Sequence, residues 1–132
     1  AHGAHGPRGA GGATAGGAAG PGVEAAARRW LEARGLQTLA VNFRSRRGEL
    51  DLVMRDGAVL AIVEVRYRAS GSHGGAAASV DARKQRRLLA AAGWLLACRP
   101  ALGALRMRFD VLAAHGDPAA PDFEWLQDAF RA

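Results

Sequence analysis

Two segments of this chain carry three acids and an arginine that could together hold a metal ion. The first is Gly48-Glu49-Leu50-Asp51-Leu52, and the second is Ile62-Val63-Glu64-Val65-Arg66. Asp56-Gly57 lies between them, and an Asp-Gly pair flanked by alternating apolar residues is a strong signal for a β-hairpin. We therefore expect antiparallel strands over residues 48–55 and 58–68.

The register of this hairpin follows from its turn. If Asp56-Gly57 forms a two-residue turn, Glu49 lies opposite Glu64 and Asp51 lies opposite Ile62. Because side chains alternate along a strand, the three acids and the arginine then share one face. Two of the acids, Asp51 and Glu64, are diagonal neighbours, and like charges this close repel unless a cation lies between them. The pattern predicts a divalent-metal site.

The composition favours a polyanionic partner. The chain has 132 residues, a formal net charge of +6 and a sequence pI near 11.2. Lys84 is the only lysine, so almost all the positive charge is arginine, whose planar fork binds phosphate in a bidentate manner. A basic domain around an acidic pocket suggests a polyanion that meets metal at one point. Part of the arginine excess has another explanation, because Ala, Gly and Arg all have GC-rich codons.

The sequence also suggests where the protein works. Cys98 is the only cysteine, so no disulfide can form within the chain and we expect a reducing compartment. No apolar run approaches the roughly 20 residues that span a bilayer, and the N-terminus lacks the apolar core of a signal peptide. We expect a cytoplasmic protein with no membrane partner.

The chain divides into a tail and one α/β domain. Residues 1–20 are rich in Gly and Ala and predict a disordered tail, and residues 21–132 predict the domain. Periodicity predicts helices over 22–34 and 81–98, and strands over 37–44, 105–114 and 123–126 besides the hairpin. Either Asp81 or Ser79 caps the second helix, after a loop over 69–78. The histidines His2, His5 and His73 fall in the tail and the loop, where they are better explained as ordinary polar residues than as ligands.

Other charged residues have two explanations each. Glu24 in the first helix is either an exposed acid favoured by the helix dipole and by Arg28, or a third acid for the metal site. Arg83, Arg86 and Arg87 lie on the outer face of the second helix, where they are either solvated or in contact with phosphate.

The order of elements and acids resembles that of the restriction-endonuclease-like nucleases. Their signature is an Asp, then a spacer, then Glu-x-Lys, on a mixed central sheet flanked by helices in the order helix, three-stranded meander, helix, strand. Over about residues 21–132 the chain is also similar to the YraN-like family of small bacterial proteins. The residues that carry this likeness are Glu24, Ala27, Leu31, Gly35, Asn42, Arg44, 48–52, 63–66, Lys84 and 108–111.

The resemblance implies a set of roles. Asp51 and Glu64 would bind Mg²⁺ or Mn²⁺, and Glu24 would approach the same ion from the helix. Arg66 would stand in the place of the catalytic lysine, where it could clamp phosphate but could not act as a base, because arginine stays protonated. The residues just outside these would be Glu49, Lys84 and Gln85.

The function that follows is a Mg²⁺-dependent endonuclease acting on DNA phosphodiester bonds, with branched DNA implied by the likeness to archaeal Holliday-junction resolvases. The DNA backbone would be held by Arg44, Arg46, Arg47, Arg68, Arg83, Arg86 and Arg87. Two alternatives stay open: a nucleic-acid-binding module of the same fold with little or no cleavage, and a domain that binds a protein partner. The sequence leaves the oligomeric state open, a homodimer included.

Overall fold

The structure is a computed structural model that describes residues 19–69 and 80–131. Almost all of the predicted tail, with His2 and His5, lies outside the described residues. So do most of the predicted loop over 69–78, with His73, and the alternative cap Ser79.

Five strands form one mixed sheet in which spatial order follows chain order. Helix α1 (Pro21–Glu32) precedes the strands, and helix α2 (Ala82–Cys98) with a short 3₁₀ helix (Pro100–Ala104) connects the third strand to the fourth. The strands are β1 (Gln37–Arg44), β2 (Glu49–Asp56), β3 (Val59–Arg68), β4 (Arg106–His115) and β5 (Asp122–Phe130). Only β3 and β4 pair in parallel, which is why they need the helical crossover. The predicted α/β class and the order helix, three-stranded meander, helix, strand are confirmed.

Each helix covers one face of the sheet. The core on the α1 side contains Val23, Ala27 and Leu31 of the helix and Leu52, Met54, Ala61, Val63, Val65 and Tyr67 of the sheet. The core on the α2 side contains Leu88, Ala91, Ala92 and Leu95 of the helix and Leu50, Val53, Leu60, Ile62, Phe109 and Val111 of the sheet. Because both faces of the sheet are covered, β3 is a nearly continuous apolar run, as is typical of a central strand that is buried on both faces.

Local sequence signals define the helix ends. Pro21 occupies the first turn of α1, as predicted. The Asp81 carboxylate accepts a hydrogen bond from the Lys84 N–H at 2.9 Å, so Asp81 is the cap of α2. Across the residues that the structure describes, no helix is both long enough and apolar enough to cross a membrane.

The β2–β3 hairpin turns one residue later than predicted. The turn residues are Gly57 and Ala58, and Asp56 remains in β2 opposite Val59. A turn centred on Asp56 and Gly57 would need a positive φ at both residues, whereas only Gly57 has one, at +62°. The Asp56 carboxylate instead forms an ion pair with Arg108, with 3.1 Å between Asp56 Oδ2 and Arg108 Nη2.

The corrected turn changes which acids are opposite each other. Leu52 pairs with Val63, so the same register continued by one residue sets Asp51, and not Glu49, opposite Glu64. The shift is an even number of residues, so it does not by itself move any side chain to the other face. The two acids that the sequence placed diagonally therefore lie just past the last pair of the ladder, close enough to interact.

Strand alternation is broken on both β1 and β2 near these acids. Leu50 and Val53 are three positions apart, yet both belong to the core on the α2 side. Ala40 and Phe43 on β1 pack against the same core with the same spacing. With strict alternation, the two residues of each pair would point to opposite faces of the sheet. Asn42, with a φ of +51°, lies within the irregular part of β1.

A buried acid extends β5 well beyond the predicted residues 123–126. Asp110 on β4 is fully buried, and its oxygens accept four hydrogen bonds, from Arg108 Nε (2.9 Å) and Nη2 (3.0 Å), Trp125 Nε1 (3.0 Å) and the Asp128 N–H (2.9 Å). The bond from the Asp128 N–H holds β5 beside β4 at Asp128, which has a φ of +54°. Phe130 consequently still pairs with Phe109.

The β1–β2 turn packs closely against α2 at Gly48. A Cβ at Gly48 would lie 2.8 Å from the main-chain carbonyl oxygen of Arg87. We expect Gly48→Ala to lower the free energy of unfolding by roughly 1–3 kcal/mol, the usual range for overpacking. Denaturant unfolding measures this change.

The matched control is Gly93→Ala. Gly93 lies in α2 and a Cβ there would meet nothing within 4 Å. Because alanine is the better helix former, this variant should gain roughly 0.5–1 kcal/mol. Equal stability changes in the two variants would contradict the close contact at Gly48.

Candidate functional site

The candidate site begins where β2 and β3 part. Their ladder starts at Leu52 and Val63, and the next N–H of β3 toward the site, that of Val65, donates to Asp51 Oδ2 at 2.9 Å. In a regular β-ladder the Val65 N–H would donate to a main-chain carbonyl oxygen of β2. Here it donates to the side chain of Asp51 instead. The sheet therefore opens at Asp51, and side chains from both faces can reach this position.

Glu64 is the central acid of the opening. Only 3% of the residue is exposed, and its Oε2 lies 3.4 Å from Lys84 Nζ and 3.4 Å from Arg66 Nη1. Its other oxygen, Oε1, is buried and has no hydrogen-bond partner among the described residues. An unpartnered buried oxygen is costly, more so on a charged group. Glu64 therefore has one buried carboxylate oxygen that no group of the described residues satisfies.

Asn42 connects two further acids. In the orientation that suits both neighbours, its side-chain nitrogen donates to Glu24 Oε1 at 3.2 Å and to Glu49 Oε2 at 3.1 Å. Glu24 comes from α1, Asn42 from β1 and Glu49 from β2. One amide thus holds acids from a helix and a strand in a fixed relation.

Burial and neighbouring acids raise the pKa values of Glu24 and Asp51. Burial, followed by the charges of Glu49 and Glu64, raises the pKa of Glu24 from 4.5 to about 7, against the hydrogen bond from Asn42. Burial, followed by the charges of Glu64 and Glu24, raises the pKa of Asp51 well above its usual value, against the Val65 N–H and Lys84. A bound cation would relieve this repulsion.

The donor set suits a hard divalent ion. Asp51 and Glu64 offer carboxylate oxygens, which Mg²⁺ and Mn²⁺ prefer, and Mg²⁺ is commonly bound through one or two carboxylates with water and phosphate oxygens completing its shell. Within residues 19–69 and 80–131, no three acid, histidine or cysteine side chains form a ready cluster for a metal ion. The chemistry of Asp51 and Glu64 therefore fits an ion held by two carboxylates, and Glu24 lies beside Asn42, within electrostatic reach of both acids.

A basic groove leads to these acids. We use this name for an open cavity of about 490 Å³ that is lined by Arg44, Ser45, Arg46, Arg47, Gly48, Glu49, Lys84, Arg87 and Leu88. The Ser45 hydroxyl donates to the Gly48 carbonyl at 2.9 Å and accepts from the Gly48 N–H at 3.2 Å, which fixes the turn that carries two of the arginines. Glu49 and Lys84 belong to both the groove and the acid site, so the two are continuous.

The remaining predicted residues lie elsewhere. Gln85 donates to the Val80 carbonyl at 3.0 Å, so it stabilises the start of α2. Arg83 and Arg86 are exposed on α2, and Arg68 is partly buried near the end of β3. None of these three arginines lines the basic groove.

Two residues of the site had no role assigned from the sequence. Asn42 interrupts an apolar strand, and Asn is both poor in strands and tolerant of a positive φ, so its position was a usable signal. Ser45 gave a weaker signal, because serine is common in turns of every kind.

The raised pKa of Glu24 predicts a pH-dependent stability. Ionisation of Glu24 is disfavoured in the folded chain, so its contribution is present below pH 4.5 and is lost as the pH rises to about 7. In chelator, the melting temperature of the wild type should therefore fall relative to that of Glu24→Gln through this window and then level off.

Glu32→Gln is the control of opposite sign. Hydrogen bonds from Thr38 and Arg28 lower the pKa of Glu32, so the wild type should lose stability relative to this variant only as the pH falls below 4.5. A difference between wild type and Glu24→Gln that is constant with pH would contradict the raised pKa.

Comparisons with known proteins agree with the motifs. The model of the uncharacterised protein family UPF0102 matches residues 23–114. A UPF0102 protein of Xanthomonas campestris pv. campestris (strain B100) is 57% identical over 112 residues, or 85% of this chain and 90% of the relative. The UPF0102 protein YraN of Salmonella newport (strain SL254) is 52% identical over 113 residues, or 85% of this chain and 83% of the relative. The chain therefore belongs to the UPF0102 family, which confirms the likeness to YraN.

Proposed function

We propose that this protein is a metal-dependent endonuclease that cuts DNA. The observation that carries the proposal is Glu64, a buried acid with one unpartnered oxygen, close to Asp51 and beside a basic groove. A structural ion pair would satisfy both oxygens of a buried acid, as the Asp110 network does. An oxygen left open next to a second acid suits a ligand that arrives from outside.

Asp51 and Glu64 hold the ion in this proposal. Bound Mg²⁺ or Mn²⁺ would polarise the scissile phosphate and lower the pKa of a water molecule. Glu24, which Asn42 holds, would approach the same ion from α1.

Two cations share the work that one lysine performs in the related nucleases. Arg66 stays protonated, so it clamps phosphate and stabilises developing charge. Lys84, which approaches Glu64 from α2, is the only lysine of the chain and adds a compact donor at the same carboxylate. Arg66 and Lys84 therefore reach the Glu64 carboxylate from different elements, β3 and α2.

The arginines of the basic groove hold the DNA backbone. Arg46 and Arg47 are exposed in the β1–β2 turn, and Arg87 is exposed on α2 across the groove. Guanidinium groups bind phosphate oxygens in pairs, and contacts of this kind carry little sequence information. We propose DNA of low sequence specificity, with branched DNA as the preferred form on the strength of the resemblance.

One observation favours a second candidate, a DNA-binding module that does not cut. Arg66 replaces the titratable amine of the nuclease signature with a group that cannot lose its proton. Binding needs only the groove, whereas cleavage also needs the acids and a correctly placed cation.

Cleavage and metal binding test the proposal together. Labelled branched, linear and single-stranded DNA are incubated with the protein in Mn²⁺ and in chelator, and melting temperatures are recorded in both. We expect Mn²⁺-dependent cleavage, and a Mn²⁺-dependent rise in melting temperature because the ion binds only the folded chain. Asp51→Asn should abolish both effects.

Glu124→Gln is the matched control, since Glu124 is an exposed acid on β5. It should retain the cleavage and the Mn²⁺ response of the wild type. If wild type and Arg66→Lys both fail to cut every substrate, and Asp51→Asn binds DNA as the wild type does, the binding module replaces the nuclease. Cleavage by Arg66→Lys alone would mean that the natural arginine favours binding over cutting.

The salt dependence of DNA binding tests the basic groove. Each phosphate contact contributes about 0.9 to the slope of log K against log salt on duplex DNA. Arg46→Ala with Arg47→Ala should therefore flatten the slope by roughly 1.8. Fluorescence anisotropy over a series of salt concentrations measures it.

A charge-matched control uses two exposed arginines outside the groove, Arg29 on α1 and Arg106 at the start of β4. Replacing this pair with alanine removes the same net charge and should leave the slope close to that of the wild type. Equal flattening in both double variants would mean that only net charge matters and that the groove is not the binding site.

A further inference from the structure

Trp94 is an exposed aromatic side chain without a structural role in the core. At 55% exposure it is the most exposed large apolar residue of the part of the chain that the structure describes. The other two tryptophans have partners: Trp30 packs against Phe123 with ring centroids 5.5 Å apart, and Trp125 donates to Asp110. Trp94 therefore differs from both in presenting its ring to the outside.

The ring lies on the same face of α2 as the arginines next to the groove. Arg83, Arg87, Ala90 and Trp94 follow one another at spacings of four, three and four residues, which places them on one face of a helix. Arg87 lines the groove, and Trp94 lies two turns farther on, about 10 Å along the axis. The face thus runs from the groove to the tryptophan.

The charge of this helix indicates the kind of partner. Residues 82–98 contain Arg83, Lys84, Arg86 and Arg87 and no acid. A basic face that ends in an exposed aromatic ring complements a strand of nucleic acid, since phosphates pair with arginines and a base stacks on the ring. An acidic or a purely apolar surface would use only one of these two features.

We propose that Trp94 stacks on an unpaired base of the DNA whose backbone lies in the basic groove. The faces of a base inside a duplex are covered by its neighbours, so a ring on the protein surface can reach only a base at an end, a flap or a branch. The inference rests on the proposed function and adds to it the substrate class, DNA with unpaired nucleotides next to a duplex.

Tryptophan fluorescence tests the stacking directly. A duplex with a single-stranded thymidine overhang is compared with the same duplex with blunt ends. The overhang should quench the fluorescence of the wild type, and the blunt duplex should quench it far less. Trp94→Phe retains only the two partnered tryptophans, so its fluorescence should not respond to either DNA.

Affinity measured by anisotropy separates stacking from general apolar contact. Trp94→Leu keeps an apolar side chain and loses the ring, and we expect it to bind the overhang DNA roughly tenfold more weakly while binding the blunt duplex as the wild type does. Trp94→Phe keeps a ring and should retain most of the affinity. Because the side chain is exposed, both variants should melt at the wild-type temperature.

Each other outcome overturns the inference in a recognisable way. Wild-type binding that depends on Arg46 and Arg47 but leaves Trp94 fluorescence unchanged overturns the stacking alone. Absence of DNA binding overturns both the stacking and the proposed function. Quenching by anionic phosphatidylglycerol vesicles without any response to DNA, or quenching that depends on protein concentration alone, assigns the face to a membrane surface or to a second copy of the chain.

Discussion

The hydrogen bond from the Val65 N–H to the Asp51 carboxylate is the constraint on which the candidate site depends. It satisfies a buried donor at the place where the ladder between β2 and β3 ends, so the strands can part without leaving that donor unpaired. The opening allows Glu24 from one helical layer and Lys84 from the other to act on the same pair of acids. A fully paired sheet would have kept these layers apart.

The acids at this opening oppose the stability of the fold. Burial raises the pKa values of Glu24 and Asp51, which means that the ionised site is less favourable in the folded chain than in water. Asp110 is more deeply buried and has both its oxygens satisfied by hydrogen bonds, so burial alone does not force this tension. Raised pKa values at two neighbouring acids, in a fold that satisfies a more deeply buried acid elsewhere, are typical of a functional site.

The sequence predicted those features that depend on short-range pattern. The presence of both helices, the order of the elements and the cap at Asp81 all follow from periodicity and from single capping residues. The predicted position of the β2–β3 turn was wrong because Asp-Gly is compatible with two turn types. The turn that forms is associated with the contact of Asp56 with Arg108, which is 52 residues away. The end of β5 depends similarly on Asp110, and the positive φ of Asn42 is associated with acids on two other elements. Contacts this distant leave no local pattern in the sequence.

The approach of Gly48 to the carbonyl oxygen of Arg87 has a consequence for how such proteins diversify. At this point the wall of the groove is main chain against main chain, with no room for a methyl group between. The shape of the groove at this point is thus set largely by the backbone, whereas its electrostatic potential is set by the arginine side chains that line it. Shape and potential are therefore separable traits, so a lineage can lose or regain individual arginines, and change the potential of the groove, without rebuilding the fold.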